Sequence, residues 1–387
     1  MTRDRIAIIT HSDPAVLSNG LQVRCYQMAS ALAEHYETQV FYLSPRPDMA
    51  AHDTKVGFST RNISVPWKPP VHHGSADWVR QLLYHSGWGT SRRLRSLLET
   101  YRPRVVIVEY PYLYRIVDRI SRSLDMKVVL SEHNVEHRAE RMIARSWWPL
   151  VYLVERHAVR KADAVIALSR EDARELAHDF RRQDVVIIPV GIEISRFTPK
   201  WLPSAGDTNS NLPWAKPRLV FHGDFNHVPN RRALERIVST VLPRVSALVP
   251  GTELVAFGRG LAKQTDAGLR YLGFVPDVLE ILQGCDVAVV PVLEGGGVKV
   301  KILEYLACGI PVVTTNLGNR GLGLTDSVNA FISDDIEGAF SSAVVALLRD
   351  NDLRKRIGSQ GREHVISHFA LNHVNTLFLE AIQKVAR

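Results

Sequence analysis

The amino-acid sequence predicts an α/β protein of two doubly wound, Rossmann-like domains, and three observations predict it. First, 387 residues are too many for one ordinary hydrophobic core and suit two. Second, short apolar runs alternate with helical patterns in both halves, which is typical of parallel sheets covered by helices on both faces. Third, residues 198–217 are rich in Pro, Ser, Asn and Gly and interrupt this alternation, as a linker does.

Strand-like runs in the first half are apolar almost throughout. They are RIAIIT (5–10), TQVFYL (38–43), VVIVEY (105–110), KVVLSE (127–132), DAVIALS (163–169) and VVIIPVG (185–191). Helical patterns lie between them at 20–36, 89–101 and 138–161. Runs of this composition indicate parallel strands that are buried on both faces.

The second half resumes the alternation after the linker. Its strand-like runs are RLVFHG (218–223), ELVAFG (253–258), LRYLGF (269–274), VAVVPV (287–292), IPVVTT (310–315) and AFIS (330–333). We therefore expect an N-terminal domain over 1–197 and a C-terminal domain over 218–387, whose last helix, about 372–387, can pack back on the first. Ligands bind beyond the carboxyl ends of such strands, so two domains that face one cleft would suit a two-substrate transfer.

Composition places the chain among folded soluble proteins, with 45% hydrophobic and 23% charged residues. No window approaches the roughly 20 apolar residues of a membrane-spanning helix. The N-terminal apolar run lacks a small-residue cleavage site and predicts a β-strand, not a signal peptide. Cys25, Cys285 and Cys308 lie far apart, which predicts three small buried side chains and neither a disulfide nor a zinc site. A cytoplasmic location is expected.

Positive charge is concentrated in the first half. Residues 1–200 hold 29 Lys and Arg against 22 Asp and Glu, out of a net charge of +8 for the chain. This surplus indicates an anionic partner such as a membrane face or a phosphorylated lipid, and equally an ordinary solvated surface. No RNA- or DNA-binding motif accompanies the surplus, so no nucleic-acid partner is expected.

The most informative segment is VAVVPVLEGGGVKVKILEYLACGIPVVTT (287–315). It predicts a strand, a loop of three consecutive glycines, a helix from about 298 to 308 that ends at Gly309, and another strand. Glycines let a backbone approach a ligand closely, and the amides at a helix start attract anions. Lys299 and Lys301 would add positive charge there, although lysine early in a helix opposes the helix dipole. A bound diphosphate explains this placement.

Glu304 lies one turn further into the same helix. Its carboxylate can accept hydrogen bonds from both hydroxyls of a ribose, or it can pair with Lys301 on the helix surface. The sequence leaves these alternatives open. Other phosphate-binding motifs fit less well, because the Walker pattern is absent and no dinucleotide loop has its strand–turn–helix context.

The whole chain resembles the family-4 retaining glycosyltransferases, also called glycosyl transferases group 1, which have the two-domain GT-B fold. The strongest match is GGGVKVKILEYLACGIPVVTT. Weaker matches follow in order: SNGLQVRCYQMASAL (18–32), SEHNVEH (131–137), KADAVIALS (161–169), IIPVGIEISRF (187–197) and VFHGDFNHVPN (220–230).

This resemblance implies roles for particular residues. His133 would contact the transferred sugar, Lys299 would neutralise the diphosphate, and Glu304 would hold the ribose. The residues implied in donor binding are Asn19, Gly20, Gly223, Phe274, Val275, Glu294, Gly295, Gly296, Gly297, Val298, Lys299 and Glu304.

Two positions depart from the family's pattern. Many members carry two glutamates with seven residues between them, and counting back from Glu304 places Gly296 at the first of these positions. Glu294 lies two positions earlier, and the sequence does not show whether it substitutes. An arginine often follows the glycine after the first strand of the C-terminal domain, and Asp224 stands there in this chain.

The function implied is a retaining, metal-independent hexosyltransferase with no cofactor. It would move a sugar from a nucleotide-diphosphate sugar to a saccharide or lipid-linked acceptor in cell-surface polysaccharide or glycoconjugate synthesis. A nucleotide-sugar epimerase-like enzyme and a catalytically idle nucleotide-sugar-binding subunit remain alternatives. The basic, Trp-containing stretch 141–161 can lie on an anionic membrane or, as we expect more, pack against its own sheet.

Overall fold

A computed structural model describes residues 3–11, 13–16, 20–44, 52–54, 56–64, 88–144, 147–199, 216–266 and 268–387. The chain divides into two compact units, one of Met1–Gly191 with Asn372–Arg387 and one of Ile192–Leu371. The predicted first boundary, after residue 197, thus differs from the observed one. Ile192 belongs to the second unit because its amide donates to the carbonyl of Phe369 (2.7 Å) and its carbonyl accepts from the amide of Leu371 (2.9 Å).

The described residues of the first unit form one eight-stranded sheet, in the order β3-β4-β2-β1-β5-β6-β7-β8. Neighbouring strands are parallel except β3 and β4. The strands are β1 Arg5–Thr10, β2 Glu37–Ser44, β3 His52–Asp53, β4 Ser59–Ser64, β5 Val105–Glu109, β6 Lys127–Ser131, β7 Ala164–Ala167 and β8 Val185–Ile187. The helices are α1 Gly20–Ala33, α2 Trp88–Tyr101, α3 Pro111–Leu124, α4 Glu136–Ala144, α5 Trp148–Lys161, α6 Arg170–Phe180 and, at the C-terminus, α14 Leu371–Ala386, with short 3-10 turns at Pro14–Val16 and, in the second unit, Ile194–Arg196.

The second unit has a seven-stranded sheet in its described residues, in the order β11-β12-β10-β9-β13-β14-β15. Here β11 and β12 form the antiparallel pair. The strands are β9 Arg218–His222, β10 Glu253–Phe257, β11 Gln264–Asp266, β12 Leu269–Tyr271, β13 Val287–Val290, β14 Val312–Thr314 and β15 Phe331–Ile332. The helices are α7 Val228–Arg236, α8 Leu242–Leu248, α9 Leu279–Gln283, α10 Val300–Ala307, α11 Asn316–Asn319, α12 Ser341–Arg349 and α13 Asn351–Phe369, with π-helical turns at Ile237–Val241 and Ile336–Phe340.

Two differences from the predicted elements have simple causes. The helical stretch predicted at 138–161 is wrong as a single helix, because α4 ends at Ala144 and α5 begins at Trp148, with a proline in its first turn. Proline lacks an amide proton and is tolerated only at the start of a helix. Strand β4 was not predicted because its sequence, STRNIS, is polar, although Thr60 and Asn62 are buried.

Hydrophobic cores cover both faces of the first sheet. Helices α3 and α5 bury residues such as Leu113 and Ala158 on one face. On the other face, Phe378 and Ile382 of α14 pack with residues of α1 and β1. Cys25, Cys285 and Cys308 are buried and free, as the sequence predicts. Among the described helices, none combines the length and the apolar character that crossing a bilayer requires.

The strand order places a topological switch point in each sheet. In the first sheet β1 lies between β2 and β5, and in the second β9 lies between β10 and β13. Crossovers leave in opposite directions from such a strand, which opens a crevice at its carboxyl end. The ends of β1 and β5 in one unit, and of β9 and β13 in the other, are therefore the places to look for functional side chains.

Candidate functional site

The glycine loop lies at the switch point of the second unit, between β13 and α10. Gly295 has φ +99° and Gly297 has φ +70°, whereas Gly296 lies outside the left-handed region. Side chains other than glycine rarely adopt such positive φ values. The loop therefore needs glycine at its first and third positions, and it brings backbone to the start of α10.

Lys299 closes this loop on itself. Its Nζ donates to the carbonyl oxygens of Gly296 (2.9 Å) and Gly297 (2.7 Å). Helix α10 begins at Val300, so Lys299 is the residue that precedes its first turn, and the predicted start at 298 is two residues early. The ammonium therefore lies beside the helix N-terminus, where it also stabilises the loop.

Glu304 is held by a residue that sequence reasoning missed. Its Oε2 lies 2.9 Å from Nε2 of His222, the last residue of β9. The ring of His222 stacks on Phe257 at a centroid distance of 5.0 Å, and its backbone amide donates to the hydroxyl of Tyr305 (2.8 Å). The carboxylate is thus fixed at the carboxyl end of β9, and the surface pair with Lys301 is not what forms.

Glu294 is bound by two arginines of α7. Its carboxylate forms an ion pair with Arg232 and another with Arg236, the latter at 3.3 Å. These contacts fasten the start of the glycine loop to a neighbouring helix. Glu294 is predicted to bind the donor, and in this structure its carboxylate contacts these two arginines.

Asp224 follows Gly223 at the end of β9 and pairs with Arg259. The Arg259 Nη2 lies 3.0 Å from the Asp224 carboxylate, and the Phe225 amide donates to the carbonyl of Arg259 (2.7 Å). An arginine therefore stands beside this strand end although none follows Gly223 in sequence. Phe274 and Val275, two residues predicted to bind the donor, follow β12, and Phe274 is 60% exposed.

The switch point of the first unit gathers buried polar residues. His133, beyond the end of β6, has its Nε2 3.5 Å from Oε1 of Glu109, the last residue of β5. Both side chains are at least 96% buried, with exposures of 4% and 1%. Arg24 of α1 is also buried there, and its Nη2 donates to Ser131 Oγ at 3.4 Å.

Burial and neighbouring charges determine the protonation states of Glu109 and His133. Burial raises the pKa of Glu109, but His133, Thr10 and Arg24 outweigh burial and hold that pKa below its ordinary value. Burial lowers the pKa of His133 more than Glu109 raises it. The carboxylate is therefore ionised beside a neutral imidazole, whose Nε2 lies 3.5 Å from it.

His133 is further positioned by a buried cap on α4. Glu155 of α5 accepts hydrogen bonds from the backbone amides of Glu136 (2.7 Å) and His137 (3.0 Å), and its Oε2 lies 2.6 Å from Nδ1 of His137. The amides at a helix start need such partners. His137 therefore has a structural role, and its Nε2 also lies 3.1 Å from the carboxylate of Asp179.

Two further predicted donor-binding residues lie near the start of α1. Gly20 is the first residue of α1, and Asn19 lies outside the described residues.

Comparisons with known proteins agree with this geometry. The family model described as Glycosyltransferase Family 4 matches residues 18–196, and the model described as Glycosyl transferases group 1 matches residues 216–350. The two matches lie one in each half of the chain, and the second includes β9, β13 and the glycine loop. The chain belongs to glycosyltransferase family 4.

Curated relatives match over part of their length. A GDP-mannose-dependent monoacylated alpha-(1-6)-phosphatidylinositol monomannoside mannosyltransferase of Corynebacterium glutamicum is 26% identical over 46% of this chain and 50% of its own. A phosphatidyl-myo-inositol mannosyltransferase of Propionibacterium freudenreichii is 30% identical over 52% of this chain and 51% of its own. The chain thus spans about half the length of these relatives.

Solved structures of the GT-B type share the fold over the whole chain. Sucrose-phosphate synthase from Thermosynechococcus elongatus superposes with a TM-score of 0.80 at 18% identity, over 99% of both chains. Anabaena HepE in complex with UDP has a TM-score of 0.74 at 14% identity, over 98% of this chain and 100% of its own. At these identities the likeness concerns the fold alone.

Proposed function

We propose that the chain is a hexosyltransferase that moves a sugar from a nucleotide-diphosphate sugar to a lipid-linked or saccharide acceptor. One observation carries the proposal. At the switch point of the second unit, a glycine loop, the start of α10 and the His222-bound carboxylate of Glu304 lie together. This combination suits a diphosphate joined to a ribose, because backbone amides and a helix dipole favour the phosphates and a carboxylate accepts hydroxyl donors.

Each part of the donor has a matching group. The diphosphate would lie against the backbone of 296–299, with Lys299 as a cation that can exchange its contacts with Gly296 and Gly297 for phosphate oxygens. Glu304 would bind the ribose, and the exposed ring of Phe274 would border the base. Gly223 would pass close to the phosphates, and Val298 would contact the sugar end of the donor.

The chemistry proposed needs no covalent step on the protein. The bond between the anomeric carbon and the diphosphate breaks, and the α10 start with Lys299 stabilises the negative charge that develops on the leaving oxygen. The departing phosphate takes the acceptor's proton, and the acceptor oxygen bonds to the same face of the sugar, so the configuration is retained. His133, a neutral imidazole, would bind a sugar hydroxyl. We propose that no metal takes part, following the resemblance to the family.

Of the two acceptor classes, the lipid-linked one is the first to test. The names of two curated relatives specify phosphatidylinositol-type acceptors, and one specifies GDP-mannose, whereas the structural neighbour HepE was solved with UDP. A mannosyl or glucosyl donor carrying GDP or UDP is therefore the first to test. We place the product in cell-surface glycoconjugate or polysaccharide synthesis.

The decisive experiment follows donor turnover with and without acceptors. UDP, GDP, ADP and dTDP are first ranked by thermal shift, since a ligand at 100 times its Kd adds about 2.7 kcal/mol of stability. The matching nucleotide sugars are then incubated with phosphatidylinositol or saccharide acceptors, with and without EDTA, and the anomeric configuration of the product is measured by NMR. We expect acceptor-dependent transfer with retention that EDTA does not reduce.

Other outcomes identify the alternatives. An epimerase-like enzyme would release or epimerise the sugar without any acceptor. Nucleotide binding with no turnover on any acceptor would indicate an idle binding subunit, as the glycine at position 296 suggests. No nucleotide binding at all would contradict the proposal.

We also propose that the first unit contacts an anionic membrane through α5 and its neighbours. Val154, Ala158 and Val159 of α5 pack into the unit's core, as expected, but Leu153 is 57% exposed. Leu153 borders a cavity of about 370 Å³ between α3 and α5 that Arg115 and Arg119 also line.

Two further exposed apolar side chains lie nearby in sequence, Met142 and Trp147, at 50% and 44% exposure. Arg141 lies over the ring of Trp148 at 5.3 Å. Exposed aromatic and aliphatic side chains beside arginines are typical of surfaces that bind anionic lipid.

Vesicle flotation tests this surface. We expect the chain to float with vesicles that contain phosphatidylinositol or phosphatidylglycerol, less so with phosphatidylcholine alone, and the double variant Trp147→Ser, Leu153→Ser to lose most of this binding. The control Leu248→Ser changes a comparably exposed leucine (53%) of the second unit. Equal flotation of both variants would reject the surface.

A further inference from the structure

The Glu109 carboxylate and the His133 imidazole face each other in the interior of the first unit. Oε1 of Glu109 lies 3.5 Å from Nε2 of His133, and the two side chains are 1% and 4% exposed. Both atoms are buried, and among the described residues neither has a hydrogen-bond partner of ordinary geometry. Buried polar atoms normally have such a partner. The two atoms therefore suit each other as partners, at a distance slightly longer than that of a formed hydrogen bond.

The backbone turns sharply at Tyr110, directly after β5. Tyr110 has φ +83° and ψ 139°, a conformation that bulky residues rarely adopt and that is concentrated at functional sites. Neighbouring side chains of a regular strand point to opposite faces of the sheet. Here both neighbours contact His133, since the ring of Tyr110 lies 4.8 Å from the imidazole at an angle of 31°. The turn thus directs two consecutive side chains onto one ring.

Other contacts hold Tyr110 in this conformation. Its ring stacks on Tyr112 at a centroid distance of 5.2 Å and meets the edge of His11 at 4.9 Å. Its amide donates to the carbonyl of Ser131, the last residue of β6 (3.4 Å). Tyr110 is therefore fixed beside the strand end from which His133 follows.

The charge of Glu109 determines which atom can donate. Burial raises the pKa of Glu109, but His133, Thr10 and the charge of Arg24 hold that pKa below its ordinary value. An ionised carboxylate has no proton to donate, so a hydrogen bond between the two groups requires a proton on Nε2 of His133. A neutral imidazole that carries its proton on Nε2 has an acceptor at Nδ1.

We propose that Glu109 and Tyr110 are positioning residues that fix the tautomer and the ring plane of His133, so that Nδ1 accepts a hydrogen bond from a sugar hydroxyl. The proposal rests on the function proposed above, in which His133 binds the sugar. Glu109 acts on the reaction only through the imidazole. The contact between Glu109 and His133 shortens when substrate binds, as such contacts often do in enzymes.

Nitrogen NMR tests the tautomer without any substrate. The chain is labelled with isotope-enriched histidine, His133→Ala identifies the His133 signals, and the shifts of the ring nitrogens show which one carries the proton. We expect the proton on Nε2 in wild type and on both nitrogens in turn in Glu109→Gln, because an amide can donate as well as accept. Asp118→Asn is the matched control. The Asp118 carboxylate also lies 3.5 Å from a histidine Nε2, that of His157, and its loss should leave the His133 signals unchanged.

A double-mutant cycle tests whether Glu109 acts through His133. Glu109→Gln should lower kcat about 10- to 100-fold, as the loss of a hydrogen bond to a charged group does, with little change in KM for the donor. In a His133→Ala background the same substitution should cost almost nothing, whereas a purely structural role would lower kcat in both backgrounds. Tyr110→Gly permits the positive φ but removes the ring, and it should lower kcat more than Tyr110→Phe does. Circular dichroism and melting temperature verify that each variant folds.

The outcomes separate this inference from the proposed function. A proton on Nδ1 of His133 in wild type, or a tautomer that Glu109→Gln leaves unchanged, would overturn the inference, while the transferase proposal would stand. Equal effects of Glu109→Gln on kcat in the two backgrounds would overturn it as well. A proton on Nε2 that depends on Glu109, with no sugar transferred from any donor, would support the positioning contact and contradict the transferase.

Discussion

At the scale of single residues, Glu304 and Glu132 differ in whether their carboxyl groups have a partner. In the second unit, Glu304 has its partner His222 before any ligand binds. In the first unit, both carboxylate oxygens of Glu132 are buried and have no hydrogen-bond partner among the described residues. A preorganised carboxylate favours ligand binding, whereas an unpaired buried one costs stability.

Glu304→Gln removes the charge and leaves the shape. We expect affinity for the nucleoside diphosphate that the chain prefers to fall about 10- to 100-fold, because hydrogen bonds to a charged group contribute about 1.5–3 kcal/mol. Calorimetry measures the change. The 2′-deoxynucleotide serves as the control and should lose less affinity than the ribonucleotide does. Unchanged binding of both would remove Glu304 from the ribose site.

Glu132→Gln should make stability less dependent on pH. Burial raises the pKa of Glu132 well above 4.5, and Glu155, Glu136 and Asp172 raise it further. The folded state thus holds a proton that the unfolded chain loses as pH rises through 4.5, so stability falls with rising pH until the raised pKa is passed. Within that window the loss is about 1.4 kcal/mol per pH unit.

Thermal unfolding between pH 5 and 8 measures this effect. We expect the glutamine variant to melt at a higher temperature than wild type at pH 8 and to approach it at pH 5. Glu171→Gln, an exposed residue of α6, should follow the wild-type curve. If the melting temperatures of Glu132→Gln and of wild type changed in parallel with pH, Glu132 would not be uncharged in the folded protein.

At the scale of elements, the glycine loop is fastened at both ends. Glu294 joins its start to Arg232 and Arg236 of α7, and Lys299 binds its carbonyls. A ligand that recruits Lys299 would break two contacts inside the loop, while the Glu294 contacts would keep the loop in place. Glu294 therefore stabilises the start of the loop through its two arginine contacts.

Gly297→Ala tests the loop as an element. Its φ of +70° costs an alanine about 1–2 kcal/mol, so the loop should shift and kcat/KM for the donor should fall at least tenfold. Gly296→Ala, at a backbone position outside the left-handed region, is the matched control and should lose little. Steady-state kinetics compares the two. Equal losses would show that backbone conformation is not what the loop requires.

Sequence patterns predicted the helices and strands better than they predicted which side chains contact each other. Strand β1 was predicted at its observed bounds, because the four central residues of RIAIIT are apolar and both faces of the strand are covered. Strand β4 was not predicted, because its sequence is polar. Asn62 is buried because of its position in the sheet, although its side chain is polar. Likewise, the glycine pattern predicted the loop, but the His222–Glu304 contact joins residues 82 positions apart.

Some missed residues leave a trace in the sequence. Glu109 ends a strand that is otherwise apolar, VVIVE, and a charged residue at that place predicts a polar function at a strand end. Lys301 was noticed for its charge, but it contacts Phe221 and Asn230, which come from another strand and another helix. Packing of that kind follows from tertiary structure and leaves no periodic pattern.

At the scale of the whole molecule, the C-terminal helix links distant parts of the chain. Val374, Phe378 and Ile382 of α14 are buried in the core of the first unit, although the helix follows directly after the second unit in sequence. The chain leaves the first unit at Ile192 and returns to it at Asn372. Stability of the first unit therefore depends on residues from both ends of the sequence.

Phe378→Ala should destabilise the first unit selectively. Truncation of a buried phenylalanine costs about 3–5 kcal/mol, and the side chain is 2% exposed. Hydrogen exchange should accelerate in α1 and β1 while α10 and β13 keep their protection, and nucleotide affinity should remain. Val385→Ala, a partly buried residue of the same helix, should have a smaller effect. Equal loss of protection in both units would contradict two separate cores.

The measurement that bears most directly on the donor site is a crystal structure of the chain with its preferred nucleoside diphosphate. We expect the phosphate oxygens to lie within hydrogen-bond distance of the amides at 297–300 and of the Lys299 amine, and the ribose hydroxyls to contact Glu304. A nucleotide that binds elsewhere on the chain and leaves the glycine loop and the start of α10 without a ligand would contradict the proposed donor site. It would also contradict the transferase function proposed from that site.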